Sequence, residues 1–184
     1  MMTLGKKIYV ANVGDSRGIV IQSANNPQDQ TACKCTALSR DHKPDDKDEA
    51  ARILANNGRI DSYRDHHGNP LGPLRVWLKV EDVPGLAMTR SYGDSVAHSV
   101  GCNAEPEMNE YKFTKDDKVV VIASDGVWEF LENIDVAKIV YPFYLQKNAE
   151  GAAENLVRAS FKRWRKEESV IDDITCIVIF LDVK

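Results

Sequence analysis

The chain has 184 residues, a formal net charge of −4, 43% hydrophobic residues and 28% charged ones. That length suits one domain with a full hydrophobic core, the acidic balance argues against bulk nucleic-acid binding, and no apolar run approaches the roughly 20 residues of a membrane-spanning helix. Four cysteines, Cys33, Cys35, Cys102 and Cys176, form no CxxC pair, so reduced thiols in the cytoplasm or nucleus are expected rather than a structural zinc site.

MMTLGKK reads as a short lead, without a signal peptide, into core-like sequence at Ile8. Ile8 to Val13 and Gly18 to Gln22 are β-rich runs separated by Gly14-Asp15-Ser16-Arg17, a composition that predicts a hairpin with the Asp15 carboxylate in its turn. Turn chemistry alone accounts for Asp, Ser and Gly at such a place. Asn25 to Gln30 reads as a polar loop and Thr31 to Leu38 as a third strand, with Cys33 and Cys35 of its CKC array assigned to opposite faces. In the loop Ser39 to Pro44, His42 reads as a hydrogen-bonded structural residue. Asp46 with Glu49 three positions on is the reciprocal capping pattern, and Ala50, Ala51, Ile53 and Leu54 supply the apolar face of a helix that Gly58 stops.

Arg59 to Leu86 is the least regular stretch, a polar excursion from Asp61 to Pro70 in which His66 and His67 read as exposed loop residues. Long excursions often border clefts. Arg75, Lys79 and Arg90 are candidates for an anionic substrate, weighed against ordinary solvated charges. Leu86 to Thr89 reads as a strand, Asn103 to Met108 as a turn-rich connection and Tyr111 to Phe113 as a short edge strand.

The strongest local signal is KVVVIASDGVWEFL, Lys118 to Leu131. Its β-branched run Val119 to Ala123 predicts a strand buried on both faces. The strand ends at Ser124-Asp125-Gly126, where a carboxylate surfaces beside a glycine that permits a sharp turn or a close approach to a ligand. An Asx-turn is the alternative for Asp125. Ile134 to Gln146 predicts a helix kinked or divided at Pro142. Ala149 to Lys166 predicts a second, with Ala152, Ala153, Leu156, Val157 and Trp164 on one face. Ile174 to Leu181 is a final apolar strand, introduced by Asp172-Asp173. The order suggests an α+β domain with helices packed on antiparallel sheets.

Asp15, Asp125 and Asp172 each lie at the end of a predicted strand. Were those strands neighbours, their carboxylates would converge, and oxygen ligands of that kind suit Mg²⁺ or Mn²⁺. Neither a Walker glycine loop nor a cysteine nucleophile with a phosphate cradle is present, so metal-activated hydrolysis is the chemistry these residues permit.

Six blocks carry a resemblance over almost the whole chain: ANVGDSRGIV (Ala11 to Val20), LSRDHKP (Leu38 to Pro44), GLAMTRSYGD (Gly85 to Asp94), AEPEM (Ala104 to Met108), VVVIASDGVWEFL (Val119 to Leu131) and DDITCIVI (Asp172 to Ile179). The chain resembles the type-2C, metal-dependent Ser/Thr protein phosphatase (PPM) family. The resemblance implies part of a four-layer αββα sandwich of two antiparallel sheets flanked by helices, lacking its amino-terminal strands, with residues 1–184 a partial catalytic domain and a flap-like region at about 44–86. It implies hydrolysis of phosphoserine and phosphothreonine in phosphoprotein substrates by direct attack of a metal-activated water, without a phosphoenzyme. Asp125 and Asp172 match ligands of a dinuclear Mg²⁺ or Mn²⁺ centre, and Asp15 matches a ligand of a weaker accessory ion.

Two departures bear on the site: Asp173 stands where the family usually has Asn, and Glu129 where it commonly has Asp, so both join Gly126 as accessory candidates. The family's DGHG-type segment and its phosphate-binding arginine are not in this sequence. No catalytic acid or phosphate-binding residue is therefore assigned. The expectation is weak metal binding, little activity in the isolated chain, no nucleic-acid or membrane partner, and self-association through exposed strand edges. The alternative is a non-catalytic pseudophosphatase or regulatory interaction module.

Overall fold

A computed structural model describes residues 1–23 and 33–182. The predicted loop at 25–30 and the first two residues of the predicted third strand lie outside the described residues. In chain order the elements are β1 (Met2–Leu4), β2 (Lys7–Asn12), β3 (Arg17–Ser23), β4 (Cys33–Ala37), α1 (Lys47–Ala55), β5 (Gly58–Arg64), β6 (Pro70–Leu78) and β7 (Pro84–Leu86). They continue with α2 (Ser95–His98), β8 (Glu107–Lys112), β9 (Asp117–Ala123), α3 (Asp125–Trp128), α4 (Asn133–Leu145), α5 (Ala149–Glu167) and β10 (Cys176–Phe180). They fall into two compact units, one of Met1–Asn12, Ser16–Arg40 and Met108–Lys184, the other of Val13–Asp15 and Asp41–Glu107.

The first unit is built on the apolar run of β9. Its sheet has the order β10-β9-β3-β4, with Val20 opposite Val120 and Ile122 opposite Ile177. Successive side chains of a strand point to opposite faces, so a strand apolar at every position serves two cores. Ile19, Ile21, Val119 and Val121 pack against Val136, Val140 and Leu156 of α4 and α5. Val20 and Val120 pack on the other side against Ile8 and Val10 of β2 and Phe113. The second sheet, β1-β2-β8, thus closes the sandwich, giving three layers in the order helices, sheet, sheet.

Several local expectations are corrected. β2 and β3 do not form a hairpin: they belong to different sheets, and Gly14 (φ +100°) helps carry the chain between the layers. β2 pairs instead with β1, whose sequence carries little strand signal. Cys33 and Cys35 share one face, as a two-residue period requires, and both lie against the helical core. Burial pushes both thiols up. Pro142 lies inside α4, which runs undivided. The reciprocal cap is found at Glu132 and Asp135 of α4, whereas Asp46 makes no side-chain cap.

The second unit corrects the reading of Arg59 to Leu86 as irregular. β5 and β6 form an antiparallel hairpin, and β7 pairs with β6. Aromatic and cation contacts line the stretch, in addition to Ile60, Val76, Leu78 and Leu86, which pack into this unit's core. Tyr63 and Trp77 meet edge to face at 5.1 Å, with the guanidinium of Arg75 4.9 Å over Tyr63 and that of Arg59 5.5 Å over Trp77. Gly85 (φ +72°) closes on the same cluster, since a Cβ there would lie 2.7 Å from the Trp77 ring. Ile53, Val76, Ala97, Val100 and Cys102 make this unit's core. The polar turn between β5 and β6 is held by the Asp65 carboxylate, which accepts the amides of His67 and Asn69, both at 2.8 Å. The predicted strand Leu86 to Thr89 lies upstream of its expected place, at Pro84–Leu86. Among the described residues no helix is long and apolar enough to cross a membrane.

Candidate metal centre

β9 and β10 are antiparallel, with Ala123 opposite Cys176, so the end of one strand lies beside the start of the other. Ser124 ties the two together: its amide donates to the Thr175 carbonyl (3.0 Å), its hydroxyl donates to the Asp173 carbonyl (3.2 Å), and it accepts the Thr175 amide (3.1 Å). Asp125 is the next residue and opens α3; Asp172 is the residue before Asp173. The structure therefore brings these two predicted ligands, separated in sequence by both long helices, onto adjacent turns.

Gly126 has a specific reason to be glycine. The Asp173 carbonyl oxygen occupies the space a Cβ would need, so only a bare Cα lets the two turns approach this closely. The Gly126 carbonyl accepts the Trp164 indole N–H (2.7 Å), and the Trp128 indole N–H donates to the Ala123 carbonyl (2.8 Å), fixing the turn from the core side. Asp125 is half-buried, and Asp172 and Asp173 are exposed. The Asp172 Oδ1 accepts the Asp173 amide at 2.7 Å. Glu129 is exposed and, with Arg17, Trp128 and Arg163, lines a cleft of about 450 Å³. There Arg17 stacks 5.1 Å over Trp128 and donates to Asn133 Oδ1 at 2.7 Å.

Asp15 belongs to the second unit and is buried. The turn is clamped by the next loop: the His42 amide donates to the Gly14 carbonyl (3.1 Å), and the fully buried His42 ring accepts the Gly14 amide at Nδ1 (3.2 Å). The Asp15 Oδ2 is engaged by Lys43 Nζ at 2.5 Å.

Residues 1–168 match the family described as Protein phosphatase 2C. The chain belongs to the protein phosphatase 2C family. It is 35% identical to "Probable protein phosphatase 2C 64" of Oryza sativa subsp. japonica over all of its own length and 41% of that protein. It is 36% identical to "Probable protein phosphatase 2C 61" of Arabidopsis thaliana over 98% of its length and 52% of that protein. The chain thus spans about half the length of the curated relatives it matches. Its fold is similar to that of a serine-threonine phosphatase 2C from Toxoplasma gondii, with a TM-score of 0.78 at 21% identity, covering 95% of this chain and 54% of the other.

Metal dependence is general in the protein phosphatase 2C family, and the residues present answer that expectation unevenly. Asp125 and Asp172 are anionic oxygen donors of the type a hard divalent ion takes, and they lie on backbone segments that the Ser124 hydrogen bonds hold side by side. Among the described residues no group of three His, Cys, Asp or Glu side chains converges as a metal site. Asp15 is an oxygen donor of the same kind, with its Oδ2 engaged by the Lys43 ammonium.

Lys43 is a residue that sequence reading passed over, and Glu49, read as a capping partner of Asp46, has a different role. Glu49 is fully buried and bound by Arg90 Nη2 (2.5 Å), Arg52 Nη2 (2.6 Å) and Thr89 Oγ1 (2.5 Å). Burial raises its pKa, but the Arg52, Arg90 and Thr89 hydrogen bonds outweigh that and hold the carboxyl well below the usual range. The available signal was position: Glu49 lies one turn before the buried Ile53, on the apolar face of α1, where an unpaired carboxylate would be costly. Arg90 is accordingly a structural partner rather than a solvated charge. Arg75 is likewise engaged, donating to the Gly85 carbonyl at 2.8 Å.

Proposed function

We propose that this chain is the part of a protein serine/threonine phosphatase that supplies Asp125 and Asp172 to a Mg²⁺ or Mn²⁺ centre, and that the whole protein hydrolyses phosphoserine and phosphothreonine in protein substrates. The observation that supports this reading is the Ser124 link, which ties the residue before Asp125 to the Asp173–Thr175 segment that follows Asp172. When bound, the metal supplies a water that is nucleophilic at neutral pH and positive charge for the phosphoryl oxygens. The protein's own part is positional. Ser124 ties the two segments together, Gly126 allows their close approach, and the Trp128 and Trp164 indoles donate to the Ala123 and Gly126 carbonyls on either side of Asp125.

The 184-residue chain by itself is expected to turn over little phosphopeptide. A Mn²⁺ assay giving rates near those of longer relatives would count against this division of labour. Asp125→Ala in a version that includes a DGHG-type segment separates enzyme from interaction module, because an enzyme loses turnover while a binding module keeps its partner. We also infer self-association through β10, which sits at the edge of its sheet with Ile177 (54% exposed) and Ile179 (42% exposed) on the apolar face shared with Ile122 and Val120. A monodisperse monomer in solution scattering would rule that out. A cytoplasmic or nuclear setting is in keeping with four free cysteines.

A further inference from the structure

The family resemblance implies that Asp15 is a ligand of an accessory divalent ion, and in the structure this carboxylate is paired with an ammonium of the chain itself. The carboxylate is 6% exposed, so it is largely stripped of water. A carboxylate in that position needs a compensating charge or hydrogen bonds. Lys43 provides the charge at 2.5 Å, from a side chain that is itself only 27% exposed.

The pair is preorganised rather than incidental. Lys43 follows His42, whose amide and ring both bind Gly14, and Gly14 precedes Asp15. The His42 carbonyl accepts the Thr89 amide at 2.8 Å, which anchors the loop to a third segment of the same unit. Gly14 is also close-packed, since a Cβ there would lie 3.4 Å from the Met88 sulfur and 3.5 Å from the Arg90 carbonyl. The backbone on both sides of the pair is therefore held by hydrogen bonds, and the lysine side chain is its partly exposed member, so rotation of that side chain is the simplest way to separate the two.

We propose that Lys43 is the resident counter-cation of Asp15, and that a divalent ion gains this carboxylate only by displacing the ammonium. The lysine then acts as a threshold, keeping the Asp15 turn in its folded geometry without metal and setting how much metal is needed before Asp15 becomes a ligand. This concerns Asp15 alone and stands apart from whether Asp125 and Asp172 hold metal.

The test is a Mn²⁺ titration of the ¹⁵N-labelled 184-residue chain, read as paramagnetic broadening of individual amides. Lys43→Met is expected to lower the Mn²⁺ concentration that half-broadens residues 14–16 by about fivefold, the upper end for removing one competing, partly exposed pair. Lys43→Arg restores the wild-type midpoint because it restores the charge. Adding Asp15→Asn to Lys43→Met abolishes the gain. Asp125→Asn removes any broadening at residues 124–126 and leaves the Lys43 effect intact, so failure of the proposed metal centre is distinguished from failure of this inference. Lys43→Gln serves in place of the methionine should that variant lose its amide dispersion. A midpoint in Lys43→Met or Lys43→Gln equal to or above wild type overturns the inference, as does a gain that survives Asp15→Asn.

Discussion

Two carboxylate environments in this molecule start from similar chemistry and end in opposite roles. Glu49, in the second unit, is sealed from solvent and saturated by two guanidinium groups and a hydroxyl. Asp125 and Asp172, in the first, lie half-buried and exposed on turns joined through the Ser124 hydroxyl and backbone groups. A buried carboxylate with its cations built into the fold is part of the scaffold. Asp125 and Asp172, partly or fully open to solvent on segments joined by backbone and hydroxyl hydrogen bonds, are not sealed in this way. The difference teaches that acidity identifies neither role; the partners supplied by the surrounding chain do.

The largest expected effect lies on the surface pair. Asp125→Ala or Asp172→Ala, in a version with the rest of the catalytic domain, should lower phosphopeptide turnover about 100-fold or more while shifting the thermal midpoint of the metal-free protein little. A variant with near wild-type turnover would break the contrast. Next comes Glu49→Ala, which removes the buried carboxylate shared by two arginines and should cost about 3–5 kcal/mol in urea unfolding. A loss under 1 kcal/mol would show that the triad does not act as scaffold.

The same contrast has a pH signature. The folded-state pKa of Glu49 is depressed, so its stabilisation is present above its ordinary value of 4.5 and is lost as pH falls toward the folded value. Unfolding free energy should therefore decline below about pH 4.5 in the wild type, and Glu49→Gln should flatten that decline. Gly126→Ala tests the close approach of the two turns. Placing a Cβ against the Asp173 carbonyl should cost about 2 kcal/mol, typical of overpacking, and should weaken metal binding as well. The smallest effect belongs to Ser124→Ala, which removes a hydroxyl that both donates and accepts and should cost about 1 kcal/mol.

Much of the first unit was legible in the sequence because its elements follow simple periodicity. The run at Val119 to Ala123 emerges within β9, ITCIVIFL contains β10, and the apolar stripe around Ala152 and Leu156 becomes α5. The side-by-side placing of the segments that carry Asp125 and Asp172 follows from the antiparallel pairing of β9 and β10. The second unit was not legible in this way. Its hairpin is stabilised by Tyr63, Trp77 and two arginines across strands, among Gly, Pro and His residues that read locally as loop. The sheet-to-sheet passage at Gly14 was missed because a short Gly-Asp-Ser link looks the same whether the flanking strands pair or part. Lys43 was missed because an ion pair reaching back 28 residues leaves no local pattern.

The pairing of Val20 with Val120 also determines how the molecule can assemble. The central sheet cannot zip until the polypeptide has closed a very long loop, and the segment inside that loop includes the entire hairpin of the second unit, whose strands are sequence neighbours. Closure entropy and high contact order make such a sheet slow to form. Hydrogen-exchange labelling during refolding should find amides of β5 and β6 protected first and those of β3 and β9 last.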